Sequence, residues 1–590
     1  MKTRNIFILA LALTSFTSCF SLNLQPEGVL STTNPFTSVG EIQNYINQFY
    51  ESGVRSQQMA AGGGSGICDI DINSDNLAGR APVTRINGGL SRSNASKLGN
   101  YNYIRNVNFF LCNKDNFADK NQIEYRQLVG EAYYFRAWYY YRMFIDYGPV
   151  AIVTEPLEPV ADKMKIGRNT RTEVADFIIS DLKLAIDNLK EANSCAGMRI
   201  HKDVAKTLLS EVALFEGTWE KYHKAANDAF YQKDITDAKI NEYLTTAATY
   251  AKQVMDRGVW AISTAGKDEN DAYRRIFATT DLGSNQEILW YRKYDGDNVG
   301  NCVDRYLNTG GGGIGVTSSL VDDYLTIEGE PFAGTDTTTY AYGEDLGPDV
   351  RDPRLSQTVA LPGQKIHPNG DTLVLPPFIA KGGSAYGDNT TGYTLLKHNQ
   401  IDYTGNVEAE NKGATPAIQF RYADVLLNYA EALAELDGEA NAAAIAAAIK
   451  PLRDRVGMPG MDFDKEYNMA SGYPFKNLNK YVQAVRRERR VEQAVEGRRL
   501  IDILRWAAAD VLIRGWWPTG VVYTEEFKLA YPTFSPNLSD PEKRVYPLAP
   551  SSAAYNGGYG FRLDRDYLLP FQDRMISLTE GLWTQNPGWD

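Results

Sequence analysis

Between Arg421 and Glu435 the apolar positions fall at Tyr422, Val425, Leu426, Tyr429, Ala430 and Leu433, a spacing of three and four that places them on one face of a helix. The same period runs through Glu124–Tyr147, where Leu128, Ala132, Phe135 and Tyr139 form a stripe. Gly148-Pro149 predicts the end of that helix, because glycine accepts a left-handed cap and proline cannot continue the hydrogen-bond ladder. Further helices are predicted over Thr172–Leu189, Asp203–Trp219, Asn241–Arg257, Ala440–Val456 and Lys480–Trp506. Several are neighbours in sequence, and paired helices of this length imply a core like that of tetratricopeptide solenoids. This follows from element order alone, since no repeat of about 34 residues is visible.

Two stretches break the pattern. Residues 61–100 and 301–415 are rich in Gly, Asn, Asp and Thr, which favours loops, turns and a few short strands. No Pro-rich or Ser/Gly linker separates them from the helices, so residues 19–590 are read as a single mainly α unit with one loop-rich, ligand-binding face. Loops on a rigid scaffold are where binding residues concentrate.

The first 18 residues differ from everything after them. Lys2 and Arg4 precede the apolar run Ile6–Leu13, which is shorter than the roughly 20 residues a membrane span needs. This predicts a signal peptide over residues 1–18. Thr17 and Ser18 directly before Cys19 resemble a bacterial lipobox, with Cys19 lipidated and becoming the mature N-terminus. Acyl chains contribute about 0.8 kcal/mol per buried methylene, enough for a multiply acylated cysteine to hold the domain on a membrane. The remaining cysteines, Cys68, Cys112, Cys195 and Cys302, are too few for a disulfide scaffold and are read as buried small residues or one local bridge.

Composition narrows the partners. With 61 basic and 73 acidic side chains, a formal charge of −12 and no long Lys/Arg run, the chain lacks the basic footprint of a nucleic-acid binder. Its 36 Tyr, 9 Trp and 23 Phe suit stacking on sugar faces as well as core filling. The four His are His201, His223, His367 and His398. No two are spaced as a helical metal-ligand pair, which disfavours zinc and His-based catalysis.

Gly310, Gly312 and Gly315 satisfy G-x-G-x-x-G, but the preceding Asp304–Thr309 is polar and is no buried parallel strand, so a nucleotide site is not expected. Asp69, Asp71, Asn73 and Asp75 alternate like the start of a calcium loop. Ser74 stands where the sharp turn needs Gly and Arg80 where a bidentate Glu is needed, which excludes an EF-hand. A calcium site of another type and an exposed strand remain open readings, and no other cofactor is expected. There is no nucleophile elbow, zincin motif or phosphate loop, so binding without catalysis is favoured. The run Arg486–Glu492, continued by Glu496, Arg498 and Arg499, alternates in sign. Such a run is generically a solvated helix face, but the apolar sequel Leu500–Trp506 implies that part of it is buried.

Four segments carry a resemblance. Glu131–Ala137 with Asp146–Val150, Phe420–Ala432, Arg487–Trp506, and Tyr567–Pro570 with Thr584–Trp589 resemble, in order, motifs of the SusD/RagB family of nutrient-binding outer-membrane lipoproteins of Bacteroidota. The resemblance implies a SusD-like fold whose tetratricopeptide-like helix pairs support a loop-rich face. It also implies capture of oligosaccharides, or peptides in some branches, for a SusC-like TonB-dependent transporter, without turnover. Anchoring in the outer membrane and facing the cell exterior are implied as well. Two features depart from the family: no acidic residue follows Cys19 closely, and no Trp precedes Trp138, which argues against an aromatic arc shaped for a starch helix.

The ligand contacts expected from the loop-rich regions and their borders are Asp69, Asp71, Asp75, Asn76 and Arg80 as polar groups. Tyr291, Tyr294, Tyr306 and Tyr386 are expected as stacking platforms. Tyr-Arg-Lys-Tyr at 291–294, after the strand-like Ile288–Trp290, is the preferred platform, and alanine at Tyr291 is expected to weaken binding without lowering the melting temperature.

Overall fold

The computed structural model describes residues 34–590 except 58–65, 80, 97, 158–164, 267–269, 309–312, 335–339, 365–388, 390, 401–408, 531–542 and 547–556. Cys19, Arg80, Tyr386, Gly310 and Gly312 therefore lie outside the described residues. The long helices are α1 (Val39–Ser52), α2 (Asn100–Asn113), α3 (Ile123–Tyr147), α4 (Arg171–Asn188), α5 (Lys202–Ala226), α6 (Asp237–Met255), α7 (Tyr422–Asp437), α8 (Ala442–Asp454), α9 (Lys480–Glu492) and α10 (Arg499–Arg505). They pack largely in chain order: α1 and α2 on α3, α3 on α4, α4 on α5, α5 on α6, α6 on α7, and α7 on α8 and α9. Paired, layered helices are thus present, and only the pairing, not a sequence repeat, announces them. Among the described residues, no helix is long and apolar enough to cross a membrane.

The sequence placed one apolar stripe on α3, but the structure buries Tyr134, Tyr140, Tyr141, Phe135 and Trp138 on several sides. A helix enclosed by α1, α2 and α4 needs no polar face, and its tyrosines suit that position because hydroxyls can reach backbone partners. The Tyr140 hydroxyl accepts from Val153 N–H at 2.7 Å. Gly148 ends α3 at φ 64°, its N–H donating to Phe144 O, as the Gly-Pro pair predicts. The start of α4 is held by a capping box, with Thr170 Oγ1 accepting from Glu173 N–H and Glu173 accepting from Thr170 N–H.

Among the described residues, four short strands form two antiparallel pairs. β1 (Leu77–Ala78) pairs with β3 (Gly315–Val316), and β2 (Ile288–Arg292) pairs with β4 (Ala417–Arg421). β4 leads directly into α7, so Arg421 is both the last strand residue and the helix N-cap. Gly315 thus sits in an antiparallel pair, not in the βαβ turn a dinucleotide fingerprint requires.

Lys480–Trp506 is not one helix. α9 stops at Glu492 and α10 starts at Arg499, with Val495 at φ 60° and Gly497 at φ 73° between them. The backbone groups freed by the break are taken up by buried side chains from distant parts of the chain. Asp71 Oδ2 accepts from Val495 N–H at 2.9 Å, Lys397 Nζ donates to Ala494 O at 2.7 Å, and the His398 Nε2–H donates to Val495 O at 2.8 Å. Glycine is required at 497: besides the positive φ, a Cβ there would lie 2.4 Å from Ile70 Cγ2.

The charged run on α9 is also corrected. Every residue from Arg486 to Glu492 is buried, because the counter-ions come from other elements. Glu492 binds Arg354, Arg421 and Arg455; Glu488 binds Arg354 and Arg453; Arg489 binds Asp502. Cys68, Cys195 and Cys302 are buried and Cys112 is exposed, with Cys112 Sγ donating to Thr154 O.

His398 gives this network a measurable pH signature. Burial, then the Lys397 charge beside it, lowers its pKa to about 4, so it stays neutral in the folded chain while the unfolded chain takes up a proton near pH 6.5. Its contribution to stability is therefore lost as pH falls from 6.5 to 4. Asp71, raised to about 6 by burial, acts in the opposite direction over much of that window. The difference between wild type and His398→Gln isolates the histidine. In urea melts at pH 7 and pH 5, wild type should lose about 2 kcal/mol more on acidification than the variant, and equal losses would mean that His398 is not held neutral.

Candidate functional site

A cleft of 510 Å³ opens where the loops after β3 meet the segment between α8 and α9. One wall is the short helix Ser318–Asp323 with Phe332 beyond it, and a second is the loop through Asn468, Tyr473 and Phe475. The third is formed by Val511, Leu512 and Trp516, and the floor carries Arg487 and Arg490 from α9 and Arg499 from α10.

Each wall is fixed from behind. Thr317 caps the short helix, its Oγ1 accepting from Leu320 N–H, while its own N–H donates to Asn76 O at 3.0 Å. Gln483 of α9 holds the second wall, donating through Nε2 to Asn468 O and Phe475 O and accepting from Asn468 N–H at 2.6 Å. On the third wall, Gly515 at φ 73° turns the chain, and Trp516 stacks on Tyr559 at 5.5 Å between centroids. Trp516 is half-buried, so part of its ring system faces the cleft with its position already fixed.

The floor is ionic. Arg490 Nη1 donates to Asp323 Oδ2 at 3.0 Å and Ser319 O at 2.9 Å, and its Nη2 lies 2.9 Å from Asp75 Oδ2. Arg499 grips Asp75 through Nε at 2.6 Å and Nη2 at 2.8 Å. Burial would raise the Asp75 pKa, but Arg490 and Arg499 outweigh it and hold the carboxyl below its usual range. Tyr473 lies under the Arg487 guanidinium, 5.4 Å from the ring centroid, and burial pushes its pKa up to about 12. The cleft thus combines aromatic surface at Phe332, Tyr473 and Trp516 with hydroxyl-bonding groups at Ser319, Asp322, Asp323 and Asn468. That is a surface suited to rings with polar rims and apolar faces.

None of the seven described ligand contacts expected from sequence lines this cleft. Asp69, Asp71, Asp75, Asn76, Tyr291, Tyr294 and Tyr306 are each under 5% exposed, and the structure gives each an internal partner. Asp69 bonds the Tyr306 hydroxyl. Asp71 accepts from Asn76 Nδ2 and Val495 N–H. Tyr294 accepts from Gln57 N–H, and the Tyr291 hydroxyl donates to Asp281. Asp75 and Asn76 come nearest to expectation: they stand one layer behind the cleft, where Asn76 Oδ1 accepts from Arg490 Nε at 3.1 Å. The alternating acids meet hydroxyl, amide and guanidinium donors, and among the described residues no cluster of three His, Cys, Asp or Glu is set to hold a metal. What sequence reading missed is Trp516-Trp517, a pair of large aromatics in a segment bounded by Gly515 and Pro518. Adjacent tryptophans outside any amphipathic period were the available signal.

Residues 260–589 match the SusD family, more than half of the chain. The chain belongs to the SusD family. Residues 93–214 also match a second family, described as starch-binding and associating with the outer membrane. Across its whole length the chain is 21% identical to the full length of a SusD-like protein, P2, from Formosa agariphila. Among solved structures, a SusD-like carbohydrate-binding protein of Bacteroides fragilis is similar with a TM-score of 0.71 and 21% identity, over 93% of this chain and 99% of that one. A laminarin-binding SusD-like protein is similar with a TM-score of 0.54 and 18% identity, over 93% and 99%. Three of the four motifs that carried the resemblance lie within residues 260–589, and the first, Glu131–Val150, lies within 93–214. As a SusD-family chain it has the mostly helical fold of those structures. The motifs map to the inside of that fold: Glu131, Arg136, Arg421, Glu431, Glu492 and Arg505 are all buried.

Proposed function

We propose that this SusD-family chain captures oligosaccharides in the cleft between Phe332, Tyr473 and Trp516 and passes them, uncleaved, to a SusC-like TonB-dependent transporter. In this reading the chain is anchored by lipid at Cys19 and faces outward from the outer membrane. The observation that carries the proposal is the cleft itself, whose fixed aromatic rings stand beside Asp322, Asp323 and Asn468. The relatives described as carbohydrate-binding and laminarin-binding support it.

The test is a glycan and peptide array with the mature chain, followed by calorimetry on each hit with wild type and Trp516→Ala. A defined glycan should bind without turnover. Loss of one aromatic platform should weaken it by about 1–2 kcal/mol, roughly 5–30-fold, with the circular-dichroism spectrum retained. Binding to peptides alone would move the chain to a peptide-importing role, and an unchanged glycan affinity in the variant would place the glycan site elsewhere.

A further inference from the structure

Resting on that reading, we propose that the glycan taken by this cleft is acidic, and that its carboxylate or sulfate ester is held by the guanidinium cluster at the floor. Arg499 is 3% exposed and spends Nε and Nη2 on Asp75. This leaves Nη1 on the opposite edge of the fork, buried and with no acceptor among the described residues. A buried cationic donor without an acceptor is costly, and here it belongs to a residue that lines the cleft.

The charges around it do not balance. Arg490 bridges Asp75 and Asp323, Arg499 shares Asp75, and Arg487, whose hydrogen bonds go to Glu466 O, Gln483 Oε1 and the Tyr473 hydroxyl, pairs among the described carboxylates with Asp323, at 3.9 Å. Three guanidinium groups thus share two carboxylates. The other carboxylates nearby are committed elsewhere: Asp322 to Arg544, and Asp502 to Arg489 and Arg505. Glu466, close to Arg487, is held by Arg453. An excess of one positive charge at a cleft floor, in a chain of net charge −12, favours a ligand that brings its own anion. Charge-assisted bonds to a carboxylate or sulfate are roughly twice as strong as bonds to neutral hydroxyls. The aromatic walls ask for a sugar ring around that anion, which a free inorganic ion lacks.

The experiment is calorimetry on matched pairs: an oligogalacturonate and its methyl ester, and a sulfated oligosaccharide and its desulfated form, with inorganic sulfate alone as a third probe. The acidic member of one pair should bind at least tenfold more tightly than its neutral counterpart, and the pair that responds identifies the anion as carboxylate or sulfate. Its affinity should fall as salt is raised from about 50 to about 200 mM. Arg499→Lys, which keeps the charge but loses the Nη1 edge, should weaken the acidic ligand about tenfold more than it weakens the neutral one. The matched pairs and the salt series need no variant, so the inference remains testable if Arg499→Lys folds poorly. Equal affinity for acidic and neutral members would overturn the inference while leaving glycan capture intact. Binding of inorganic sulfate as tightly as the sulfated sugar would overturn it too, since the aromatic walls would then contribute nothing. No binding of any glycan would remove the cleft reading on which it rests.

Discussion

Glu492→Ala should cost about 3–5 kcal/mol of stability. The Glu492 carboxylate is fully buried and accepts from three guanidinium groups at once: Arg421 at 2.7 Å and Arg455 at 2.5 Å through Oε1, and Arg354 at 2.9 Å through Oε2. Burial alone would raise its pKa, but Arg455, Arg421 and Arg354 together outweigh it and push the carboxyl far below the usual range. Removing it takes one carboxylate from each of three buried cations and leaves Arg455 to share Glu287 with Arg421. Breaking one side of a buried ionic cluster costs more than the cluster contributes when intact, because the abandoned charges stay desolvated. Glu492→Gln, which keeps the shape and one acceptor oxygen, should fall between alanine and wild type. Urea unfolding followed by circular dichroism at pH 7 measures both, and an alanine variant within about 1 kcal/mol of wild type would show that the cluster re-pairs without Glu492.

The same network predicts the direction of acid sensitivity. Glu496 is held at about 2, against its burial, by Arg421 and Lys397, so its folded pKa lies below its unfolded one. Its stabilising contribution is complete above about pH 4.5 and is lost as pH falls toward 2. Glu492 acts in the same sense.

The helices were legible in the sequence because their signal is local. The apolar period of Arg421–Glu435 and the Gly148-Pro149 stop are read within a few residues and hold in the structure. The break at Gln493–Arg498 was not legible, because Asp71, which accepts the Val495 N–H, lies 424 residues away in sequence. Read alone, Arg486–Glu492 is an alternating charged run. What makes it interior is supplied by Arg354, Arg421, Arg453 and Glu435, all from other elements. The acids at 69–75 lie buried behind the cleft, not along it, for the same reason. Alternation cannot distinguish a carboxylate facing solvent from one facing a buried arginine, and Asp75 faces two. Trp516 sits between Gly515 and Pro518, outside any helical or strand period, so its one local signal is the adjacent Trp517.

Tyr291→Ala tests that lesson, because the structure reverses what the sequence led one to expect of it. Tyr291 is 2% exposed, set in β2 opposite Ile418 and packed in a cluster with Tyr273, Phe277, Leu282, Leu325 and Met458. Its hydroxyl donates to Asp281 Oδ1 at 3.3 Å, and burial pushes its pKa up to about 12. Truncating an aromatic side chain at such a position removes buried surface and leaves a cavity that β2 and β4, tied by their ladder, can close only in part. The expected loss is about 3–5 kcal/mol, read as a lower urea midpoint with an unchanged slope. Glycan affinity measured below the melting transition should equal that of wild type, the opposite pattern to Trp516→Ala, which should lose affinity and keep its fold. A Tyr291 variant with wild-type stability and lost binding would return this residue to the ligand site and displace the cleft around Trp516.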